Sequence, residues 1–235
     1  MKSKGESQKF NTQTCHHDIE HGGKVIFPFG PPLYQNYIRD EFRDALLEEG
    51  HRIRSNDNDY RDQLAGNMYF GGSYLYGDEF IKKAEPLLFE YLNSWFVFMR
   101  EYYSYKRIKF VTNAEEFKVE LPVLWINFQK RYDYNPMHHH GGIVSFVVFL
   151  KVPKEIFKTQ AKSNMKHAGQ LSFQYGELIS PLCATGYSIV PSENLILMFP
   201  STLNHTVPPF WVDEERISVS GNFHIKGDAS SLSGI

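Results

Sequence analysis

The sequence has almost no cysteine. Among 235 residues only Cys15 and Cys183 occur, and they form no CxxC pattern. That excludes a disulfide-stapled scaffold and fits a reducing compartment. Long apolar runs are also missing: none approaches the roughly 18 residues of a membrane span. The N-terminal stretch MKSKGESQKFNTQT lacks the apolar segment of a secretory signal. The expected location is therefore cytoplasmic, with no membrane partner, and the sequon Asn204-His205-Thr206 carries no weight as a glycosylation site. Charge of one sign is lacking too. The formal net charge is −2, which weighs against nucleic acid as a partner. There is no internal repeat and no low-complexity tract.

What is present is ordinary in bulk and particular in detail. The hydrophobic fraction is 42% and the charged fraction 22%, as in a soluble globular chain. With 19 Phe and 14 Tyr the aromatic content favours a β-rich core. The length suits one large domain with a sizeable core.

Residues 1–22 are polar and without periodicity, and read as a mobile tail. Its Cys15, His16, His17 and His21 have the reading of a solvated tail rather than a metal site. KVIFPFG (24–30) reads as an entering strand. Tyr34, Tyr37, Ile38, Phe42, Ala45 and Leu46 recur at helical spacing, with Gly50 as a stop. A polar connection follows over 55–67. A second helix is expected from Asp78 to Tyr103, with Ile81, Leu88, Leu92, Trp95 and Met99 on its apolar stripe and Pro86 within it. After residue 105 the texture changes to short β-branched and aromatic segments, from RIKFV to RISVSGNFHI, separated by Pro and Gly turns. Strands after a helical opening imply a mainly β, α+β architecture: a jelly roll (double-stranded β-helix, cupin-like) with the N-terminal helices packed on one face. The domain is expected over 23–226, with 227–235 as a C-terminal tail. Lys154, Lys158, Lys162 and Lys166 recur every four residues and read as a solvated face.

Three histidines stand in a row in YDYNPMHHHGG. On a strand alternate side chains share a face. His138 and His140 would then point together and His139 away. Two imidazoles make half of a divalent-metal site. The best third ligand is His205, in MFPSTLNHTVPP, because a jelly roll makes neighbours of strands distant in sequence. Three protein ligands leave positions open for substrate, which points to catalysis. Downstream, Arg216 and Ser218 alternate onto one face of the last strand, followed by Ser220 and Asn222. An inward Arg beside a hydroxyl is a clamp for a carboxylate. Taken singly, each of these residues has a bland reading: a satisfied core histidine, or an Arg216 paired with Asp213 or Glu214. Trp125, Phe128, Tyr132 and Tyr134 would line a pocket or fill the core.

NPMHHHGGIVSFVVFL, LILMFPSTLNHTVPPF and RISVSGNF together resemble the 2-oxoglutarate- and Fe(II)-dependent oxygenases. The likeness is to a branch with HxH in place of HxD, common in phage and marine bacterial genomes. VIFPFGPPLY and LAGN (64–67) fit its opening region, so the resemblance spans roughly 24–225. It implies Fe(II) held by His138, His140 and His205, 2-oxoglutarate bound by Arg216 and Ser218, with Asn127 as a further contact, and O2 plus an unknown substrate as partners. A homodimer and a cytoplasmic (or host-cytoplasmic) location are further expectations. The departure is His140 where a carboxylate is usual, which leaves the metal site one unit more positive. Two rival readings stay open at this level: a three-His dioxygenase that needs no 2-oxoglutarate, and a non-catalytic jelly-roll binding or virion module.

Overall fold

The computed structural model describes residues 23–26, 28, 30–56, 59–105, 119–159, 167–177 and 184–226. Eleven strands and three α-helices occur among them. The strands are β1 (Lys24–Ile26), β2 (Leu33–Tyr37), β3 (Gly72–Leu75), β4 (Val119–Gln129), β5 (Asn135–His138), β6 (Val144–Lys151), β7 (Leu171–Gln174), β8 (Gly186–Ile189), β9 (Leu195–Pro200), β10 (Asn204–Val207) and β11 (Arg216–Ile225). The helices are α1 (Asp40–Ser55), α2 (Asp78–Tyr105) and the short α3 (Glu155–Thr159). One sheet has seven strands in the order β1-β2-β9-β6-β11-β4-β3; the other has four, β5-β10-β7-β8. All named pairings are antiparallel. Neighbours in space that are far apart in sequence are the mark of the expected jelly roll.

The central strands read as near-continuous apolar runs because both faces of the large sheet are covered. Val144, Phe146, Val148, Ile196, Met198, Val219 and Phe223 face the helices and share a cluster with Phe42, Leu46, Leu88, Leu92 and Trp95. The alternate residues Phe149, Leu195, Leu197 and Phe199 turn toward the small sheet, where Leu171, Phe173 and Val207 meet them. α1 buries Phe42, Leu46, Gly50 and Ile53, one helical stripe. Asp40 and Glu41 stand in its first turn and Arg52 and Arg54 in its last, each sign at the favourable end of the helix dipole. The Tyr76 hydroxyl donates to the Leu46 carbonyl at 2.7 Å and ties α1 to the sheet.

Three expectations change. The helical spacing that begins at Tyr34 is not helix there: Leu33–Tyr37 is β2, paired with β9 through Tyr34↔Met198. Five residues are too few for periodicity to separate the two elements, and sheet pairing decides. Gly50 does not stop α1 but lies inside it. A Cβ there would sit 2.3 Å from Ile126 Cδ1, so glycine permits the close crossing of helix and sheet. Third, β5 ends at His138, so His140 lies just beyond the strand. The RIKFV strand, the Cys15 cluster, Cys183, Lys162 and Lys166 fall outside the described residues. Lys154 and Lys158 are exposed, and Lys158 pairs with Glu155 at 2.6 Å. Among the described residues no helix is long and apolar enough to cross a membrane.

Gly142 closes the histidine loop at φ +84°, where a Cβ would meet the Phe223 carbonyl oxygen at 2.6 Å. Gly142→Ala is therefore expected to destabilise the fold by about 1–3 kcal/mol, the usual range for backbone forced into sparsely allowed space. Urea unfolding of the variant against the native chain measures it.

Candidate metal centre and anion pocket

His138 and His205 are register partners on β5 and β10. Direct pairing puts their side chains on one face of the small sheet, roughly 5 Å apart at Cβ. His140 follows one step past the strand end. Its amide donates to the Ser201 carbonyl at 2.9 Å, which carries the inward-outward alternation past the end of β5. His139 is exposed, as alternation requires. The three rings converge: centroids are 4.8 Å apart for His138–His140, 4.3 Å for His138–His205 and 5.0 Å for His140–His205. One ligand atom from each lies within 4.8 Å of the others, and no other such group of three exists among the described residues.

Two of the rings are aimed in the same way. His138 Nδ1 lies 2.7 Å from the Pro136 carbonyl oxygen and His205 Nδ1 2.9 Å from that of Leu203. A carbonyl only accepts, so each Nδ1 carries the proton and each Nε2 keeps its lone pair. That is the tautomer a metal needs, fixed by the backbone two residues upstream. Burial drives all three rings toward the neutral form. It lowers the pKa of His138, brings His140 to about 3, and pushes His205 well below its ordinary value; mutual repulsion of His205 with the other two adds to this.

The opposite wall is the large sheet. Arg216, Ser218, Ser220 and Asn222 on β11 share its inner face with Trp125, Asn127 and Gln129 on β4, and all line one cavity with the three histidines. The register sets Ser218 against Asn127 and Arg216 against Gln129. Asn127 Oδ1 accepts from the Ser73 hydroxyl at 2.7 Å. Ser145 donates to Asn222 Oδ1 at 2.7 Å, and its oxygen lies 3.1 Å from that of Ser201. Arg216 is only 4% exposed. Nη1 donates to the Gly169 carbonyl at 2.7 Å, the guanidinium carbon lies 5.5 Å from the centre of the Phe149 ring, and Nε has no partner among the described residues. Desolvation alone lowers its pKa, to about 10, so it stays charged at neutral pH.

The ion pairs weighed for Arg216 go elsewhere. Asp213 meets Arg131 at 2.7 Å, and Glu215, not Glu214, meets Arg54 at 2.8 Å. Of the aromatic candidates, Trp125 lines the cavity and makes an edge contact with His140, with ring centres 6.1 Å apart. Phe128 faces the helices, and Tyr132 and Tyr134 are exposed. Gln129, Ser73 and Ser145 were not anticipated. Gln129 was within reach, since it alternates with Trp125 and Asn127.

Residues 123–222 match the family model described as "Putative 2OG-Fe(II) oxygenase". The matched span contains all three converging histidines and the Arg216–Ser218 pair. A solved Pseudomonas putida prolyl-4-hydroxylase is similar in fold, with TM-score 0.50 at 15% identity over 82% of this chain and 92% of that one. HygX from Streptomyces hygroscopicus, solved with nickel and 2-oxoglutarate, has TM-score 0.53 at 8% identity over 84% of each chain. No curated protein matches the sequence significantly. The fold is the one those structures share.

The neutral histidines set a pH dependence. A group whose pKa is depressed by folding takes up its proton later than in the unfolded chain, so stability is lost as pH falls below the unfolded value near 6.5. For His140 the loss extends down to about pH 3. Without metal, the protein is expected to lose on the order of 1 kcal/mol or more between pH 7 and 5, and the His140→Gln variant less. Urea unfolding across that range checks it.

Proposed function

We propose that His138, His140 and His205 hold the catalytic Fe(II), and that Arg216, with Ser218 and Asn127, holds the distal carboxylate of 2-oxoglutarate. The overall reaction is that of a hydroxylase: 2-oxoglutarate, O2 and a substrate C–H give succinate, CO2 and the hydroxylated substrate. The single observation that carries this is a buried guanidinium with an unpartnered N–H, lining the same cavity as three converging neutral imidazoles. A buried charge without a counter-charge is costly. An anion that enters with each catalytic cycle is the natural partner, and the dianion also suits the metal.

Bound Fe(II), with 2-oxoglutarate and O2, supplies the oxidising chemistry that side chains lack. The chain supplies aim and charge. The Pro136 and Leu203 carbonyls hold His138 and His205 with Nε2 free. Three neutral ligands leave the full charge of the metal, and Arg216 adds one more. That surplus attracts a dianion more strongly than a site containing a carboxylate would. Phe149, Phe199, Leu171 and Val207 form apolar wall between the two groups of polar residues and keep water out.

Fe(II) titration under anaerobic conditions and succinate formation from 2-oxoglutarate test the reading. His205→Ala is expected to lose specific Fe(II) binding and all succinate formation. Arg216→Met is expected to keep Fe(II) but weaken 2-oxoglutarate about 10–100-fold, as loss of hydrogen bonds to a charged group does. Its melting temperature should hold or rise, because an uncompensated buried charge has gone. Iron binding with no succinate under any condition would favour the three-His dioxygenase that binds its substrate directly. No specific iron binding would sink the enzyme site as drawn.

A further inference from the structure

Two of the three histidine rings are aimed by a backbone carbonyl; among the described residues the His140 ring has no such bond. What holds it is the loop that carries it, and that loop stands on Ser201. The His140 amide donates to the Ser201 carbonyl at 2.9 Å, and the Ser201 amide donates to the Ile143 carbonyl at 3.3 Å. Ser201 also opens the turn from β9 to β10, in which Leu203 supplies the carbonyl that aims His205. One residue is therefore the joint between the His140 loop and the His205 turn.

The side chain of Ser201 ties that joint to the large sheet. Its oxygen lies 3.1 Å from that of Ser145 on β6, and Ser145 donates to Asn222 Oδ1 on β11 at 2.7 Å. An amide oxygen only accepts and a serine has one hydroxyl hydrogen, so Ser201 donates to Ser145 and the chain runs Ser201, Ser145, Asn222. Its members are 1%, 1% and 4% exposed. The inner face of β6 continues from Ser145 through Val147 and Phe149, and that of β9 runs Leu195, Leu197 and Phe199 before it reaches Ser201. Among such side chains a hydroxyl pair is costly to bury unless each member is bonded. A pair of apolar residues would pack there at little or no cost. Packing therefore does not account for the two serines.

We propose that Ser145 and Ser201 are positioning residues of the metal site. Through Asn222 they fix the joint of the His140 loop and the His205 turn against the large sheet, and so set the spacing of the imidazoles. This rests on the three histidines being metal ligands, as given above. Neither serine touches the metal or a reacting atom. For the loop they take the place of the carbonyl bond that the His140 ring lacks.

Co(II) is the probe, because its visible absorption reports the geometry of its ligands without turnover. It is titrated into the native protein and variants, with urea unfolding of the metal-free proteins alongside. Ser145→Ala and Ser201→Ala are each expected to shift the absorption and to weaken Co(II) about tenfold, the lower end for partners that orient metal ligands. The double variant is expected to lose no more than the worse single one, because both break the same chain. Ser172→Ala removes another hydroxyl pair, 2.8 Å long, with Ser188 on the small sheet, and is expected to leave the spectrum as it is. Native spectra and affinities in both serine variants overturn the proposal and leave the metal site standing. Weaker binding with a native spectrum, matched by lower stability of the metal-free protein, also overturns it and makes the chain a packing feature. If Ser145→Ala does not fold, Ser201→Ala decides alone, since it leaves the bond from Ser145 to Asn222 in place. A native protein that binds Co(II) no better than His205→Ala overturns the metal site itself, and this proposal with it.

Discussion

A positive charge is buried in this fold, and among the described residues no carboxylate meets it. Arg216 is enclosed by Phe149 and the inner faces of two sheets, and among the described residues its hydrogen-bond partner is the Gly169 carbonyl. Such a group lowers stability unless something compensates. The surrounding structure is arranged to carry that cost. β11, the strand that bears Arg216, lies between β4 and β6, and the whole large sheet is sealed on its far side by α1 and α2. The apolar investment on the helix side lets the other side hold Arg, Ser, Ser and Asn in alternation. Acidic residues near the strand are spent elsewhere, on Arg54 and Arg131, which keeps the guanidinium open to an outside anion.

The histidines answer the same constraint on the other wall. Burial suppresses their charge, so they do not repel Arg216 or an incoming cation. Among the described residues nothing acidic joins the group of three. Where the usual pattern sets a carboxylate beside two histidines, this chain sets a third imidazole. A divalent metal held by these histidines and Arg216 would form two centres of positive charge on facing sheets.

Much of this was legible in the sequence because period-2 alternation is strict. It separated His139 from its neighbours, and it placed Arg216, Ser218, Ser220 and Asn222 on one face. Helical stripes were legible where they were long, as in α2. They misled where they were short: Tyr34 belongs to a strand whose partner lies far away at Met198, and only sheet pairing reveals that. Gly50 looked like a stop because glycine ends helices locally, whereas its reason here is contact with Ile126. Gln129 was hidden by its neighbours' stronger signals. Its orientation comes from one hydrogen bond that its amide donates to the Asp133 carbonyl, and no spacing rule predicts that bond.

The two groups of polar residues sit on different sheets. His138 and His205 hang from the four-stranded sheet, while Arg216, Ser218 and Asn127 stand on the seven-stranded one. A molecule held at one end by a metal on the histidines and at the other by Arg216 would be a strut across the sandwich. The sheets meet through Phe149, Phe173, Phe199 and Leu171 on one side of that strut, and the strut would lock them on the other. Filling the site would then be a mechanical event as well as a chemical one, in which two halves that pack by apolar contact are pinned at a set spacing by the molecule between them.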